Sequence, residues 1–179
     1  MQDEVRRLHR ETGTTFVFVT HDQSEALALS SRVAIFDHGK LQQLDAPKEV
    51  YERPANRFVA EFLGEINILP LSNVCGGGAD AHGEFEGQVL RASGVGAVTD
   101  TLAVRPEYRV LHTSRPAEGN AIAARLRDLT YLGADTQLSL QTPGGVAMHL
   151  SLPTANLPES LAPGQEVWAA WPHERGFFL

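Results

Sequence analysis

The sequence contains little cysteine, little lysine and no long apolar run, and each shortage excludes a class of protein. Cys75 is the only cysteine in 179 residues, so neither an internal disulfide nor a cysteine-rich zinc site can form. Lys40 and Lys48 are the only lysines and the net charge is −7, which argues against nucleic acid as a partner. No apolar run approaches the roughly 20 residues of a membrane-spanning helix, so we expect no direct insertion into a membrane.

Two further patterns are absent from the sequence: a metal-binding spacing of histidines and a secretory signal at the amino terminus. No two of the seven histidines lie four residues apart, and the sequence predicts no metal site. The first residues, MQDEVRRLHRET, are polar and charged, unlike a secretory signal, which makes a cytoplasmic location the default expectation. With 42% hydrophobic and 21% charged residues, the composition is typical of one or two ordinary globular domains.

Residues 1–65 combine helical and strand patterns, which is typical of an α/β domain. Met1, Val5 and Leu8 recur at helical spacing and predict an amphipathic helix over residues 1–11. Four β-branched or aromatic residues, Phe16 to Val19, predict a strand that is covered on both faces. The later segments are predicted as a helix from Ser24 to Ser30, a hairpin of residues 32–36 and 41–44 around the turn 37–40, a short helix opened by Pro47, and a helix from Asn56 to Leu63.

Beyond Gly64 the helical periodicity stops, and short alternating segments separated by turns take its place. The turns fall at Gly76-Gly77-Gly78, Ser93-Gly94, Glu118-Gly119, Pro143-Gly144-Gly145 and Pro163-Gly164. Such spacing is typical of a small sandwich or barrel. We therefore predict an α/β domain over residues 1–65 and an all-β domain over residues 66–179.

A candidate ligand site follows the first predicted strand. Thr20, His21 and Asp22 fall at its carboxyl end, where open α/β sheets bind their ligands. A neutral imidazole there can accept a hydrogen bond from water and donate one to a phosphate. A lone histidine at a strand end is also commonly an ordinary turn residue, and the spacing leaves both interpretations open.

The stretch VTHDQSEAL, continued by SSRVAIFDHGKLQQLDAPKEVYERPANRFVAEFLG, resembles the end of the nucleotide-binding domain of ATP-binding-cassette (ABC) importers. The resemblance begins at the switch-histidine loop and runs without a gap from about Met1 to Gly64. It implies that His21 is the catalytic and nucleotide-contacting switch histidine. In the complete subunit this residue contacts the γ-phosphate and the attacking water of ATP, bound with Mg, at the interface of two copies.

The second half resembles the carboxyl-terminal regulatory domain of the same family, the transport-associated oligonucleotide-binding-like (TOBE) type. The resemblance rests on AVRPEYRVL (103–111), ARLRDLTYLGADTQLSL and the closing PGQEVWAAWPHERGFFL. The expected fold is thus an α/β fragment, the end of a P-loop ATPase domain, followed by an all-β OB-like barrel or sandwich. Within the first motif we predict inward side chains for Val104, Val110 and Leu111, and solvated charges for Arg105, Glu107 and Arg109.

Several motifs that ATP hydrolysis needs are absent. No GxxxxGK[ST] loop, glutamine loop or LSGGQ signature occurs in the sequence. Val33 to Asp37 imitates a Walker B strand, but His38 stands where the catalytic glutamate would be, and we interpret Asp37 as a turn residue. The chain therefore resembles the carboxyl-terminal part of an ATPase subunit, and we expect that it alone neither binds ATP tightly nor hydrolyses it.

The resemblance also implies partners, a location and a solute. The partners are a second copy of the ATPase subunit and the transmembrane permease subunits, and the location is the cytoplasmic face of the cell membrane. FLGEINIL (62–69) resembles the junction in polyamine (spermidine/putrescine) importers, with iron(III) or another small solute as the alternative. A different class of function also remains open, a stand-alone regulatory or small-ligand-binding β module without enzymatic activity.

Two groups of side chains in the β domain are candidates for regulation. The carboxylates Glu84, Glu86, Asp128 and Asp135 are expected to attract a cytoplasmic polycation. The aromatic residues Trp168, Trp171, Phe177 and Phe178 are expected to divide between the barrel core and a surface for a second copy.

Overall fold

A computed structural model describes residues 2–78, 81–92, 98–158 and 160–179. The chain divides into two compact units, Met1–Gly64 (unit 1) and Glu65–Leu179 (unit 2). The turn predicted at Ser93-Gly94 lies outside the described residues. Among the described helices the longest has 11 residues, and none is both long and apolar enough to cross a membrane.

The helices of unit 1 begin where the sequence supplies their caps. Asp22 accepts a hydrogen bond from the backbone N–H of Glu25, and Asn56 accepts one from Val59. Pro47 occupies the first turn of its helix, where a missing N–H costs nothing. The four described helices are α1 (Gln2–Thr12), α2 (Gln23–Leu29), α3 (Pro47–Glu52) and α4 (Arg57–Phe62).

The predicted hairpin is confirmed. Strands β1 (Val33–Asp37) and β2 (Lys40–Asp45) pair antiparallel, with Asp37 opposite Lys40. His38 and Gly39 both have positive φ, 47° and 75°, as a two-residue turn that matches the twist of its strands requires. The small core of unit 1 joins this hairpin to the helices through Val33, Ile35, Val50, Val59 and Leu63.

The strand predicted at Phe16 to Val19 is wrong. The segment runs as irregular chain between α1 and α2, and Val17 and Val19 are 88% and 99% exposed. A strand needs a neighbouring backbone to accept and donate its hydrogen bonds, and no described strand of unit 1 pairs with this segment. Residues of high β propensity therefore do not form a strand here, because there is no sheet for them to join.

Unit 2 consists of strands and short 3-10 turns in its described part. One sheet has the order β11-β10-β9-β12-β8, and two three-stranded sheets have the orders β13-β7-β3 and β4-β5-β6. The strands are β3 (Asn67–Pro70), β4 (Ser72–Cys75), β5 (His82–Phe85), β6 (Gln88–Arg91), β7 (Thr101–Val104), β8 (Val110–His112), β9 (Asn120–Tyr131), β10 (Asp135–Gln141), β11 (Ala147–Pro153), β12 (Glu166–Trp171) and β13 (Gly176–Phe178).

All three sheets of unit 2 contribute to one apolar core. Buried and exposed residues alternate along β10 and β11, so each strand turns one face inward. The core joins Leu69 and Leu102 of one sheet, Phe85 and Leu90 of the second, and the larger sheet through residues such as Leu138. The all-β character predicted for this part of the chain is confirmed.

Two buried asparagines tie the sheets together with their side-chain amides. Asn67 donates to the carbonyl of His149 (2.8 Å) and accepts from the N–H of the same residue (2.6 Å), as a neighbouring strand would. Asn120 makes the equivalent pair of bonds with the backbone of Arg91. These amides satisfy backbone groups where one sheet passes to the next.

Candidate functional site

His21 lies in irregular chain immediately before α2, and its side chain is exposed. Thr20 Oγ1 accepts a hydrogen bond from the backbone N–H of Asp22 (3.0 Å) and donates one to Glu25 Oε2 (3.2 Å). Asp22 Oδ1 accepts from the N–H of Glu25 at 3.0 Å. These bonds fix the backbone on both sides of His21. Within the described part of the chain no residue hydrogen-bonds to its ring, so the imidazole is available to a ligand.

An open cavity of about 940 Å³ lies inside unit 1, and His21 is one of its lining residues. Phe16 and Phe18 line it from the irregular segment, and Val33 and Ile35 line it from β1. The segment and the hairpin thus border the same space without filling it. The sequence points to His21 but does not predict this cavity, which apolar residues line together with polar ones such as Arg6 and Arg10.

Asp37 and His38, which are adjacent in the chain, form a side-chain contact. His38 Nδ1 lies 2.7 Å from Asp37 Oδ1, and the His38 side chain is 92% exposed. Both residues belong to the tip of the β1–β2 hairpin. Asp37 is the last residue of β1 and directly precedes the turn His38–Gly39, so it lies in the strand next to the turn.

The charges of the AVRPEYRVL motif do not lie where the sequence predicts them. Arg105 and Arg109 are 0% and 1% exposed, whereas Val110, predicted inward, is 51% exposed. The physical reason is the 3-10 turn Pro106–Tyr108, whose three residues per turn reset the two-residue alternation of a strand. Glu107 is exposed, as predicted.

The two buried arginines differ in their surroundings. Arg105 Nη1 donates to the backbone carbonyl of Glu65 at 3.3 Å. The Arg109 guanidinium lies over the ring of Trp171, with Cζ 4.9 Å from the ring centroid, and none of its nitrogens has a described hydrogen-bond partner. Burial lowers the pKa of Arg109 to about 9. Sequence reasoning missed this group because fully buried arginine is rare, and the motif itself was the only signal.

The aromatic end of unit 2 lies mostly inside. Trp171 is 2% exposed and Phe178 packs against the core. Trp168 is half-buried, with the guanidinium carbon of Arg115 5.4 Å from its ring centroid. The expectation that part of this group belongs to the core is confirmed, and the interface expected for the rest stays a prediction.

The carboxylates proposed to attract a polycation fall into two pairs. Glu86 accepts from Thr142 Oγ1 (2.5 Å) and from the N–H of Gly144 (3.1 Å), and Glu84 accepts from Asn73 (2.8 Å). Asp128 and Asp135 are exposed on β9 and β10. Glu86 therefore supports the turn at residues 142–145, Glu84 links β5 to β4, and Asp128 and Asp135 face solvent.

One further contact joins side chains with reactive chemistry. Cys75 Sγ lies 3.0 Å from His82 Nε2, and the two residues face each other across β4 and β5. Among the residues that the structure describes, no group of three or more histidine, cysteine or acidic side chains is placed to share a metal ion.

Part of unit 2 is similar to a known protein family. Residues 102–179 match the family model described as the TOBE domain. One solved structure, the cytoplasmic molybdate-binding protein ModG with molybdate bound, covers 63% of this chain and 92% of its own chain, at a TM-score of 0.48 and 16% identity.

The curated relatives extend the match to nearly the whole chain. The spermidine/putrescine import ATP-binding protein PotA of Pseudomonas fluorescens Pf-5 is 42% identical over 87% of this chain and 42% of its own length. The PotA of Chromobacterium violaceum is 38% identical over 100% of this chain and 52% of its own. The ABC transporter ATP-binding protein YdcT of Escherichia coli K12 is 36% identical over 96% of this chain.

These matches confirm the resemblance of the chain to the ATP-binding subunits of ABC importers. Within that class, the PotA relatives confirm the resemblance to the polyamine type. The chain spans about half the length of the curated relatives that it matches.

Proposed function

We propose that the chain acts as part of the ATP-hydrolysing subunit of an ABC importer for polyamines. The observation that carries the proposal is that 87% to 100% of the chain's length aligns with spermidine/putrescine import ATP-binding proteins. In this proposal unit 1 is the end of the P-loop ATPase domain, and unit 2 is an OB-like TOBE domain that serves dimerisation and regulation. The stand-alone β module is not favoured, because the similarity also covers unit 1.

His21 is the proposed switch histidine. Its backbone is held by the Thr20 and Asp22 hydrogen bonds, while its ring is exposed and has no described hydrogen-bond partner. A positioned imidazole of this kind can orient the attacking water and contact the γ-phosphate of ATP held with Mg. The phosphate-binding loop is absent from these 179 residues, so ATP binding requires the remainder of the subunit.

The same proposal assigns the partners and the location. A second copy of the subunit closes around the nucleotide, and permease subunits hold the pair at the cytoplasmic face of the membrane. The negative charge of this chain is only indirect support for polyamine over iron(III), because an importer selects its solute chiefly in its receptor and membrane subunits. The names of the relatives carry the choice of solute.

The role of His21 can be tested in a complete subunit that carries this chain's residues. Residues 1–64 replace the matching segment of the Pseudomonas fluorescens relative, and ATP turnover is measured before and after His21→Ala. We expect turnover to fall by on the order of a hundredfold, the effect typical of losing a group that positions water or a proton.

His38→Ala is the matched control, since His38 is an exposed histidine at the hairpin tip of the same unit. Its turnover should stay at that of the parent chimera. Equal turnover in the His21 and His38 variants would reduce His21 to an ordinary turn residue.

A further inference from the structure

The β4-β5-β6 sheet of unit 2 carries a nucleophile, a base and a cation in one row across its three strands. Cys75 of β4 lies opposite His82 of β5, and His82 lies opposite Arg91 of β6. Residues directly opposite each other in antiparallel strands point to the same face of the sheet. Gly83 and Phe85, which alternate with His82 along β5, are buried. The row therefore lies on the face directed away from the core.

The thiol of Cys75 is accessible and in contact with a base. Cys75 is exposed and forms no disulfide, and its Sγ lies 3.0 Å from Nε2 of the half-buried His82. A separation of about 2.6–3.2 Å between a nucleophile and a base is typical of activated nucleophiles. The thiolate is the reactive form of cysteine, so a base at this distance can generate it by taking the S–H proton. His82 accepts that proton at Nε2 in the tautomer that carries its own proton on Nδ1.

The charges beside this pair favour a negatively charged reactant. Arg91 is exposed on the strand next to His82 and adds a positive charge to the same face. Glu84 is the only carboxylate in the three strands, and it accepts a hydrogen bond from Asn73 at 2.8 Å. A reactant that brings its own carboxylates to Cys75 therefore meets the positive charge of Arg91.

We propose that Cys75 is a nucleophilic thiol, activated by His82, that forms a mixed disulfide with a small disulfide carrying carboxylates. His82 Nε2 takes the proton from Cys75 Sγ, and the sulfur attacks one sulfur of the reactant. A new S–S bond forms at Cys75 while the S–S bond of the reactant breaks. Cys75 is thereby oxidised, and the leaving thiolate carries away the two electrons and takes the proton from His82.

The test measures the reaction rate of the full chain with two small disulfides. Cys75 is the only cysteine, so each leaving thiol reports this site alone. Dithiobisnitrobenzoate carries two carboxylates and dithiodipyridine is neutral, and both leaving thiols absorb light. At neutral pH we expect the native chain to release one leaving thiol with either reagent. With oxidised glutathione, mass spectrometry should show one added glutathionyl group.

Two variants of His82 separate a base from a structural contact. His82→Asn removes the atom that takes the proton, and should slow both reagents by about tenfold or more. His82→Gln can hydrogen-bond the thiol but cannot take its proton, so it should be equally slow. His149→Asn, which changes an exposed histidine of β11, should react at the native rate. In denaturant all four proteins should react alike, because no base is then held at the thiol.

The role of Arg91 is tested by the difference between the two reagents. Arg91→Gln should slow the dicarboxylate reagent severalfold and leave the rate with the neutral reagent unchanged. Arg125→Gln removes an exposed arginine of β9 and should leave both rates near those of the native chain.

Equal rates in the native chain and both His82 variants would overturn the proposal, because Cys75 would then react as an ordinary exposed thiol. A native rate in His82→Gln alone would also overturn it, since a hydrogen bond would then suffice. Equal slowing of both reagents by Arg91→Gln would overturn the preference for an anionic disulfide. All these outcomes leave the proposed transporter function untouched, because that function rests on His21 and on the alignment with the relatives.

Discussion

Burial of Arg109 disfavours its charged form, so the stability of unit 2 should depend on pH in a specific way. Burial lowers the pKa of Arg109 from its ordinary value to about 9 in the folded chain. Below pH 9 both the folded and the unfolded chain hold the proton, and the folded chain bears the full penalty, on the order of 5 kcal/mol. Above pH 9 and below the higher pKa of the unfolded chain, only the folded chain releases the proton, so stability rises with pH.

We therefore expect the native chain to gain stability relative to Arg109→Met as the pH increases. Between pH 8 and about 10.5 the difference in unfolding free energy should shift by on the order of 2 kcal/mol in favour of the native chain. Denaturant unfolding followed by tryptophan emission measures this, because Trp168 and Trp171 both lie in unit 2.

Arg105, Glu107 and every other titratable group are present in both proteins and cancel in the difference. A difference that stays constant across this pH range would show that Arg109 keeps its ordinary pKa.

Single residues were the least predictable level of this molecule. The sequence shows Arg105 and Arg109 four positions apart around Pro106, but a regular strand would have placed their neighbours Val104 and Val110 inward. The 3-10 turn reverses that pattern for Val110. Its effect depends on the packing of unit 2, which no local rule contains.

At the scale of elements, predictions held wherever a local signal was sufficient. Asp22 and Asn56 cap their helices, Pro47 opens one, and His38 with Gly39 closes the hairpin. Each of these acts through its own backbone within a few residues. The strand expected at Phe16 to Val19 failed because a strand also needs a partner distant in sequence.

The exposure of residues 16–19 leads to a prediction about amide hydrogen exchange. Phe16 to Val19 have no sheet partner, whereas Leu138 to Leu140 lie on β10 between β9 and β11. We expect the first group to exchange at nearly unprotected rates and the second to be slower by about a thousandfold or more.

Exchange followed by mass spectrometry or NMR measures both groups in one sample. The sample must be dilute enough to be monomeric, because a second copy can shelter an exposed apolar segment. Equal protection of the two groups in a strict monomer would contradict the irregular conformation of residues 16–19.

At the scale of the whole molecule, each unit has its own apolar core and the chain is acidic overall. The core of unit 1 is formed by five buried residues, Val33, Ile35, Val50, Val59 and Leu63, and that of unit 2 draws on all three sheets. The composition gives the net negative charge, but it does not predict where the carboxylates lie or what they contact. Glu84 links β5 to β4, Glu86 supports a turn, and Asp128 and Asp135 are exposed without such a role.

This distribution narrows the prediction that a polyamine binds unit 2 and regulates it. The net charge of −7 attracts spermidine, and the exposed carboxylates of Asp128 and Asp135 are the proposed contacts. We expect spermidine to bind the full chain and to promote its self-association at about 0.02 M salt. Both effects should be lost at about 0.5 M, where charges farther apart than roughly 4 Å are screened.

Equilibrium dialysis measures the binding, and sedimentation equilibrium measures the association. Asp128→Asn with Asp135→Asn should weaken spermidine binding severalfold, since two carboxylates of the proposed contact are neutralised. Glu118→Gln with Glu174→Gln changes the net charge by the same amount at other exposed positions of unit 2, and should have a smaller effect. Equal weakening in the two double variants would mean that spermidine responds to total charge alone. A chain that stays monomeric, with no salt-dependent response to spermidine, would leave the β unit without this regulatory role.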